Sequence, residues 1–403
     1  MELDLNTFFS SEPQSSTAVG TIARVAPTVE GITGARNATL DDMVSLLRAQ
    51  RGSKVDIITS AADLRMVGGM LRIAGDPTAI TANGVGRAEA LLLPTEVLDE
   101  QAGAKLGIPV GYLKKTRREQ IGLYDANING WLASEPTRKF MVRTLQDRSR
   151  GTGVARALMS DKYKVMDNLD VLIAALNGVH QAGHPAEVTS CDLSDRRMYV
   201  RIEAPQVVVA ARELLKDYRS PFSGQTGSEL PEVHAGLVIT NSEVGCGAVR
   251  IVPRAVFRVC RNGMTIEKDT MQAVHVGARM EEGTIDWSVA TQTKELELIT
   301  SKTADAVAHF LSHDYVERII ESVTKQAATE LNDPGSTVKE VTKQLNIPDE
   351  TADAILRHFI KGGQTTAGGV MQAFTSVAQT VKDADAAHTL EAKALDALAL
   401  AAR

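Results

Sequence analysis

The stretch GLVITNSEVGCGAVRIVPRAVFRVCRNGM, residues 236–264, constrains the fold more than any other part of this 403-residue chain. It reads as two β-strands joined by a glycine-rich connection and ended by an Asn-Gly turn. From Arg250 onward the residues alternate. Arg250, Val252, Arg254, Val256 and Arg258 fall on one face, and Ile251, Pro253, Ala255, Phe257 and Val259 on the other, because successive strand side chains point to opposite sides of a sheet. Three arginines therefore stand in a row, with about 13 Å between neighbours at roughly 3.3 Å per residue. Arg261 follows just after. A row of cations on a stiff support can track a polyanion such as a phosphate backbone. The plainer alternative is that these arginines pair with Glu243 or with acids on a neighbouring strand, or face water.

Charge along the chain is uneven. The formal net charge is −6, yet residues 105–164 hold 13 Lys and Arg against 5 Asp and Glu, a local +8 that leaves −14 for the remainder. Such asymmetry points to an anionic partner or to a solvated basic face. Within this stretch, Lys114, Lys115 and Arg118 lie on a basic helix, and MSDKYKVMDN at 159–168 adds Lys162, Tyr163 and Lys164. Tyr163 is placed to stack on a base with the two lysines on phosphates. Asp167-Asn168 reads as the cap of the helix that begins there.

The organisation expected is an α+β body, with a mixed sheet and helices, followed by a helical C-terminal region. Residues 1–40, rich in Ser, Thr, Gly, Ala and Pro, read as a flexible arm. Residues 41–285 form the α+β core, and 286–403 the helical region. Thr95 caps a helix that ends near Leu106-Gly107. Ile108-Pro109 breaks it, and VGYLKKTRREQ starts a second helix, a helical hairpin. A related unit, VKEVTKQLNIPDETADAILRHFI at 338–360, shares the xLxIP turn, but Asp349, Glu350 and Asp353 lead its second helix and would repel phosphate; packing or an oligomer contact fits it better. Residues 168–180 form a helix, 186–211 a hairpin, and the segment from Met264 onward is expected to be mostly helical, beginning near 266–282.

Motifs for chemistry are sparse. NSEVGCG at 241–247 matches neither GxxxxGK[ST] nor GxGxxG, and the His309/His313 pair lacks an HExxH frame. A metal nuclease would require carboxylates such as Asp161, Asp167 and Glu243 to converge. Cys191, Cys246 and Cys260 show no CxxC pattern, so buried thiols are the default. No catalytic residue and no cofactor is assigned. With no early apolar run and no stretch near 18 apolar residues, a soluble cytosolic chain without membrane contact is expected.

MSDKYKVMDN followed about 70 residues later by GLVITNSEVGCGAVRIVPRAVFRVCRNGM resembles the phage- and plasmid-borne proteins grouped as domain of unknown function 932. KLGIPVGYLKK at 105–115, NINGWL at 127–132 and TTAGGVMQAFTSVAQTV at 365–381 fit the same family. The resemblance implies a setting in mobile-element DNA metabolism, in the host cytoplasm if phage-encoded, and a relation to single-strand annealing recombinases. The combined expectation is a non-enzymatic protein binding single-stranded nucleic acid through Arg250, Arg254, Arg258 and Arg261, with Lys114, Lys115, Arg118, Lys162, Tyr163 and Lys164 extending the track. A structural protein that forms homo-oligomers, or binds a phage or host protein, is the alternative.

Overall fold

The computed structural model describes residues 34–81, 84–87, 89–147, 152–163, 165–259, 262–273 and 289–403. The fold is α+β, as expected, but its strands divide between two sheets. The larger sheet is antiparallel and runs in the order β1 (Ala35–Ala38), β10 (Glu187–Leu193), β11 (Met198–Ala210), β12 (Glu232–Asn241), β13 (Val249–Phe257) and β14 (Asn262–Thr265). β15 (Met271–Ala273) also pairs with β13. The second sheet runs β2 (Lys54–Ser60), β8 (Lys139–Asp147), β9 (Thr152–Ser160), β7 (Ala90–Pro94), β4 (Met70–Ile73), β3 (Leu64–Val67), with a parallel β7–β9 pairing. β5 (Asp76–Thr81) and β6 (Gly84–Arg87) form a separate hairpin.

Pro253 shows how the sequence shapes β13. A proline cannot donate to a β-ladder and is normally kept out of central strands. Here β15 pairs with residues 249–251 and β14 with residues 254–257, so Pro253 falls in the gap between them, where its carbonyl accepts from Ile266 N at 2.8 Å. The alternation expected around it is present. Ile251, Ala255 and Phe257 enter the larger hydrophobic core, and Arg250, Arg254 and Arg258 take the other face. Asn262-Gly263 opens β14 rather than forming a turn, and the segment expected as helix from 266 begins as a 3-10 turn at Glu267–Asp269 followed by β15. Residues 274–282 of that expectation lie outside the described residues.

The larger core joins α1 (Leu40–Ser53) and α5 (Asn168–Ala182) to the inward face of the sheet. It continues without a break into α7 (Val289–Phe310), α8 (His313–Ala327), α9 (Pro334–Gln344), α10 (Asp349–Gly362), α11 (Ala367–Ala378) and α12 (Ala384–Ala401). The C-terminal helices thus share a core with the sheet. The boundary at 40 shifts, since β1 pairs with β10, and Thr39 caps α1 by accepting Asp42 N at 3.1 Å. Residues 1–33 of the expected arm lie outside the described residues. A second core lies on one face of the six-stranded sheet. There Leu71, Leu92, Phe140 and Val142 meet Leu98, Ala102, Leu113, Tyr124, Ile128 and Leu132 from α2 (Glu96–Leu106), α3 (Val110–Glu119) and α4 (Ile121–Ser134). Among the described residues, no helix is long and apolar enough to cross a membrane.

α5 and α7 approach closely through Gly178, where an added Cβ would lie 2.4 Å from Thr300 O and 2.6 Å from Thr303 Cβ. Overfilling a packed helix contact costs about 1–3 kcal/mol. Gly178→Ala is therefore expected to lower unfolding stability by that amount in urea denaturation, despite its better helix propensity.

Candidate nucleic-acid interface

The arginine face of β13 is closed. Arg254, at 5% side-chain exposure, donates from Nη2 to Glu391 Oε1 on α12 at 2.9 Å and from Nη1 to Glu203 Oε1 on β11 at 3.4 Å. On the same face Arg201 pairs with Asp192 and lies 3.8 Å from Glu391, and Arg36 pairs with Asp192 while donating to the carbonyls of Ala378 and Val381. Three cations and three carboxylates thus balance between the sheet and α12. Burial raises the pKa of Glu391, but the adjacent Arg254 and Arg201 outweigh it and hold the carboxylate below its ordinary range. Arg250 pairs with Glu267 and reaches Thr270 Oγ1 at 3.2 Å. Only Arg258 faces solvent, paired with Glu232 at 3.2 Å. The open phosphate track expected from the sequence is corrected here: acids from β11 and from a helix 137 residues away occupy the row. Arg261 lies outside the described residues.

A second buried network gathers two of the carboxylates that a metal nuclease would have required. Glu243, in the β12–β13 connection, is fully buried at its side chain. Its carboxylate accepts from Lys54 Nζ on β2, from Arg156 Nη1 on β9 at 2.6 Å, and from Asn168 N at the start of α5 at 2.7 Å. Arg143 on β8 donates to Glu243 O, Asp167 Oδ1 and Asp56 Oδ1, each at 2.8 Å. Asp167 and Glu243 do converge, but around Lys54 and Arg143, while Asp161 stands apart on an exposed turn and accepts from Ser160 Oγ at 3.3 Å. Among the described residues no cluster of His, Cys, Asp and Glu side chains suits a metal ion. Asp167 occupies the N-cap position without a capping bond from its side chain. Instead Glu243 covers the α5 N-terminus, where a carboxylate complements the helix dipole.

The glycine-rich connection is tied down along its length and offers no cradle for a nucleotide. Asn241 Nδ2 donates to Met166 O at 3.1 Å, Ser242 Oγ donates to Arg196 O at 2.7 Å, and the Val244 carbonyl accepts from Gln101 Nε2 at 2.6 Å. Tyr163 is half-buried beside Val97, Met141, Met159 and Val244, which removes it as an open stacking platform. Lys162 is exposed on the turn before it, and Lys164 lies outside the described residues.

The basic helix α3 is partly neutralised by α2. Lys114 pairs with Glu96 at 3.0 Å and Glu100 at 2.9 Å, and Arg117 with Asp99. Lys115 and Arg118 remain exposed, with Glu119 as their only ion-pair partner among the described residues, at 3.9 Å and 2.8 Å. Beside them stands a feature that charge counting missed. Tyr112, Ile121, Leu123 and Trp131 are all between 41% and 51% exposed. Asn127 ties α4 to Tyr112, its Nδ2 lying 3.4 Å from Tyr112 Oη and 2.7 Å from Leu123 O, and Trp131 sits one turn further along α4; Ile121 lies on another side of α4, beside Gly69. The signal was present in the sequence. Tyr124, Ile128 and Leu132 suffice for the inward stripe of α4, so Leu123 and Trp131 are surplus apolar residues at helical spacing.

No family model, curated protein or solved structure matches this chain. The resemblance to domain of unknown function 932 rests on the quoted motifs. In this fold two of them serve structure, as the α2–α3 corner and as the Glu243 connection.

Removing one partner of a buried ion pair costs about 3–5 kcal/mol. Glu243→Gln and Arg254→Ala are each expected to lose that much stability in chemical denaturation, with Arg258→Ala within about 0.5 kcal/mol of the parent. Burial pushes the Glu243 pKa up, but Arg156 and Lys54 draw it down to about 2 from the ordinary 4.5. The contribution of its charge is therefore complete above pH 4.5 and is lost as pH falls toward 2. Acid unfolding followed by circular dichroism should show a transition in that window that Glu243→Gln lacks.

Proposed function

We propose that this chain is a non-enzymatic binding protein for single-stranded nucleic acid, with its contact surface on α3 and α4. The observation that carries this reading is the joint exposure of two aromatic rings, Tyr112 and Trp131, beside the two freest cations of α3, Lys115 and Arg118. Sequence-tolerant single-strand binding needs those two components, rings on which unstacked bases lie and cations that hold the backbone. An intact duplex offers stacking only at its ends, so protruding rings favour single strands. Leu123, two turns before Trp131 on the same side of α4, extends the apolar platform.

The reading differs in one respect from the arginine-strand expectation. With two principal cations, the salt dependence is shallow. Each phosphate neutralised on a single strand contributes a slope of about −0.7 in log K against log salt, so roughly −1.4 is expected rather than a steep fall. The resemblance to phage and plasmid proteins supports a role in mobile-element DNA metabolism, where strand annealing would follow from such binding.

Fluorescence anisotropy of a labelled single-stranded oligonucleotide tests this directly. Stacking contributes about 1–3 kcal/mol per base, so Tyr112→Ala and Trp131→Ala should each weaken binding by roughly tenfold or more. Lys115→Ala with Arg118→Ala should flatten the salt slope toward zero. Absence of binding at low salt, or tight binding indifferent to all four substitutions, overturns the assignment.

A further inference from the structure

The two helical corners share one backbone plan and carry opposite charge. Each first helix ends in a left-handed residue, Gly107 at φ 69° or Asn346 at φ 50°. The following residue is a buried isoleucine, Ile108 or Ile347, whose N–H returns to Gly103 O at 2.8 Å or Thr342 O at 2.9 Å. A proline, Pro109 or Pro348, then stands at the N-cap of the second helix. Beyond this common corner the helices diverge. α3 turns Tyr112, Lys115 and Arg118 outward, one turn apart along an inclined ridge. On α10, Asp349, Asp353, Leu356 and Ile360 fall within about 60° of arc at 3.6 residues per turn.

Three of these four residues, Asp349, Asp353 and Ile360, are exposed, while Leu356 is half-buried against the larger core. Among the described residues, neither Asp349 nor Asp353 has an ion-pair partner. Ile360 is 68% exposed, whereas the ring of Phe222 meets His358 at 5.6 Å on the opposite side of the helix. Arg357 and Lys361 lie further round the helix, on the side of Glu350. Both surfaces therefore join a pair of like charges to exposed apolar surface, Ile360 on α10 and Tyr112, Leu123 and Trp131 on α3 and α4, and the charges are of opposite sign.

We propose that the α10 stripe of one copy docks on the α3–α4 surface of a second copy. Asp349 and Asp353 then meet Lys115 and Arg118, and Ile360 packs among Tyr112, Leu123 and Trp131. The two patches are different regions of one chain, so the contact is heterologous. Such a contact repeats from copy to copy and yields a ring or a filament rather than a two-fold dimer. This inference concerns the same α3–α4 surface as the nucleic-acid reading but does not depend on it. If both hold, a bound strand and a neighbouring copy compete for Tyr112 and Trp131.

Sedimentation velocity of the full chain without nucleic acid decides the matter. The parent should form species larger than a monomer at low salt and dissociate as salt rises. Charge reversal on one side, Lys115→Glu with Arg118→Glu, or on the other, Asp349→Lys with Asp353→Lys, should raise the concentration needed for assembly at least about tenfold, since like charges then face each other. An equimolar mixture of the two variants should restore assembly, because every contact in an alternating array pairs opposite charges again. The restoration also shows that both variants are folded. A monomeric parent at low salt, variants that assemble like the parent, or a mixture that stays monomeric would each overturn the proposal. The nucleic-acid reading is judged separately, because Asp349→Lys with Asp353→Lys leaves its rings and cations in place.

Discussion

Glu243 is buried away from water and stays ionised because the other sheet surrounds it with cations. Lys54, Arg143 and Arg156 come from three neighbouring strands of the six-stranded sheet, while Glu243 itself sits in a connection of the seven-stranded one. An isolated buried carboxylate would take up a proton or stay in solvent. Here the desolvation of each charge is offset only if the partners arrive together with good geometry. The two sheets hold separate hydrophobic cores, joined through Val97, Met141, Ala157, Met159 and Val244. The charge network fixes their register at that junction, since apolar packing alone is non-directional. It also sets the start of α5, through the bond from Asn168 N to Glu243.

The same logic governs the arginine row. Arg36, Arg201 and Arg254 meet Asp192, Glu203 and Glu391 between the polar face of the larger sheet and α12. That face is polar because the opposite one is committed to the core, and α12 covers it with a carboxylate rather than leaving it to water. Residues with the spacing of a phosphate ladder thus hold the C-terminal helix to the sheet. Much of the local positive charge between residues 105 and 164 is absorbed in the same way, by Glu243, Asp167, Asp56, Glu96, Asp99 and Glu100.

What remains outward is a smaller, more apolar surface than composition suggests. On α3 and α4 two cations accompany the half-exposed side chains of Tyr112, Leu123 and Trp131. On α10 two carboxylates accompany Ile360. The recurrence of one corner design with opposite charge makes these two faces complementary.

The sequence alone determined the local elements. The period-two alternation of β13, the Thr95 cap, the Gly107-Ile108-Pro109 corner, its counterpart at Asn346-Ile347-Pro348 and the extent of α5 all follow from interactions among residues close in the chain, and all are present. It also carried the α+β class, because strand and helix periodicities differ. Only the tertiary structure decided which face of β13 would be open, since its counter-charges come from Glu203 and Glu391, 51 and 137 residues away from Arg254. The division into two sheets was illegible for the same reason: strand pairing such as β2 with β8 joins residues far apart in the chain, from Ser60 with Lys139 to Lys54 with Leu145. Alternation states which residues share a face. What covers that face depends on long-range contacts, and those are set by the packing of the whole molecule.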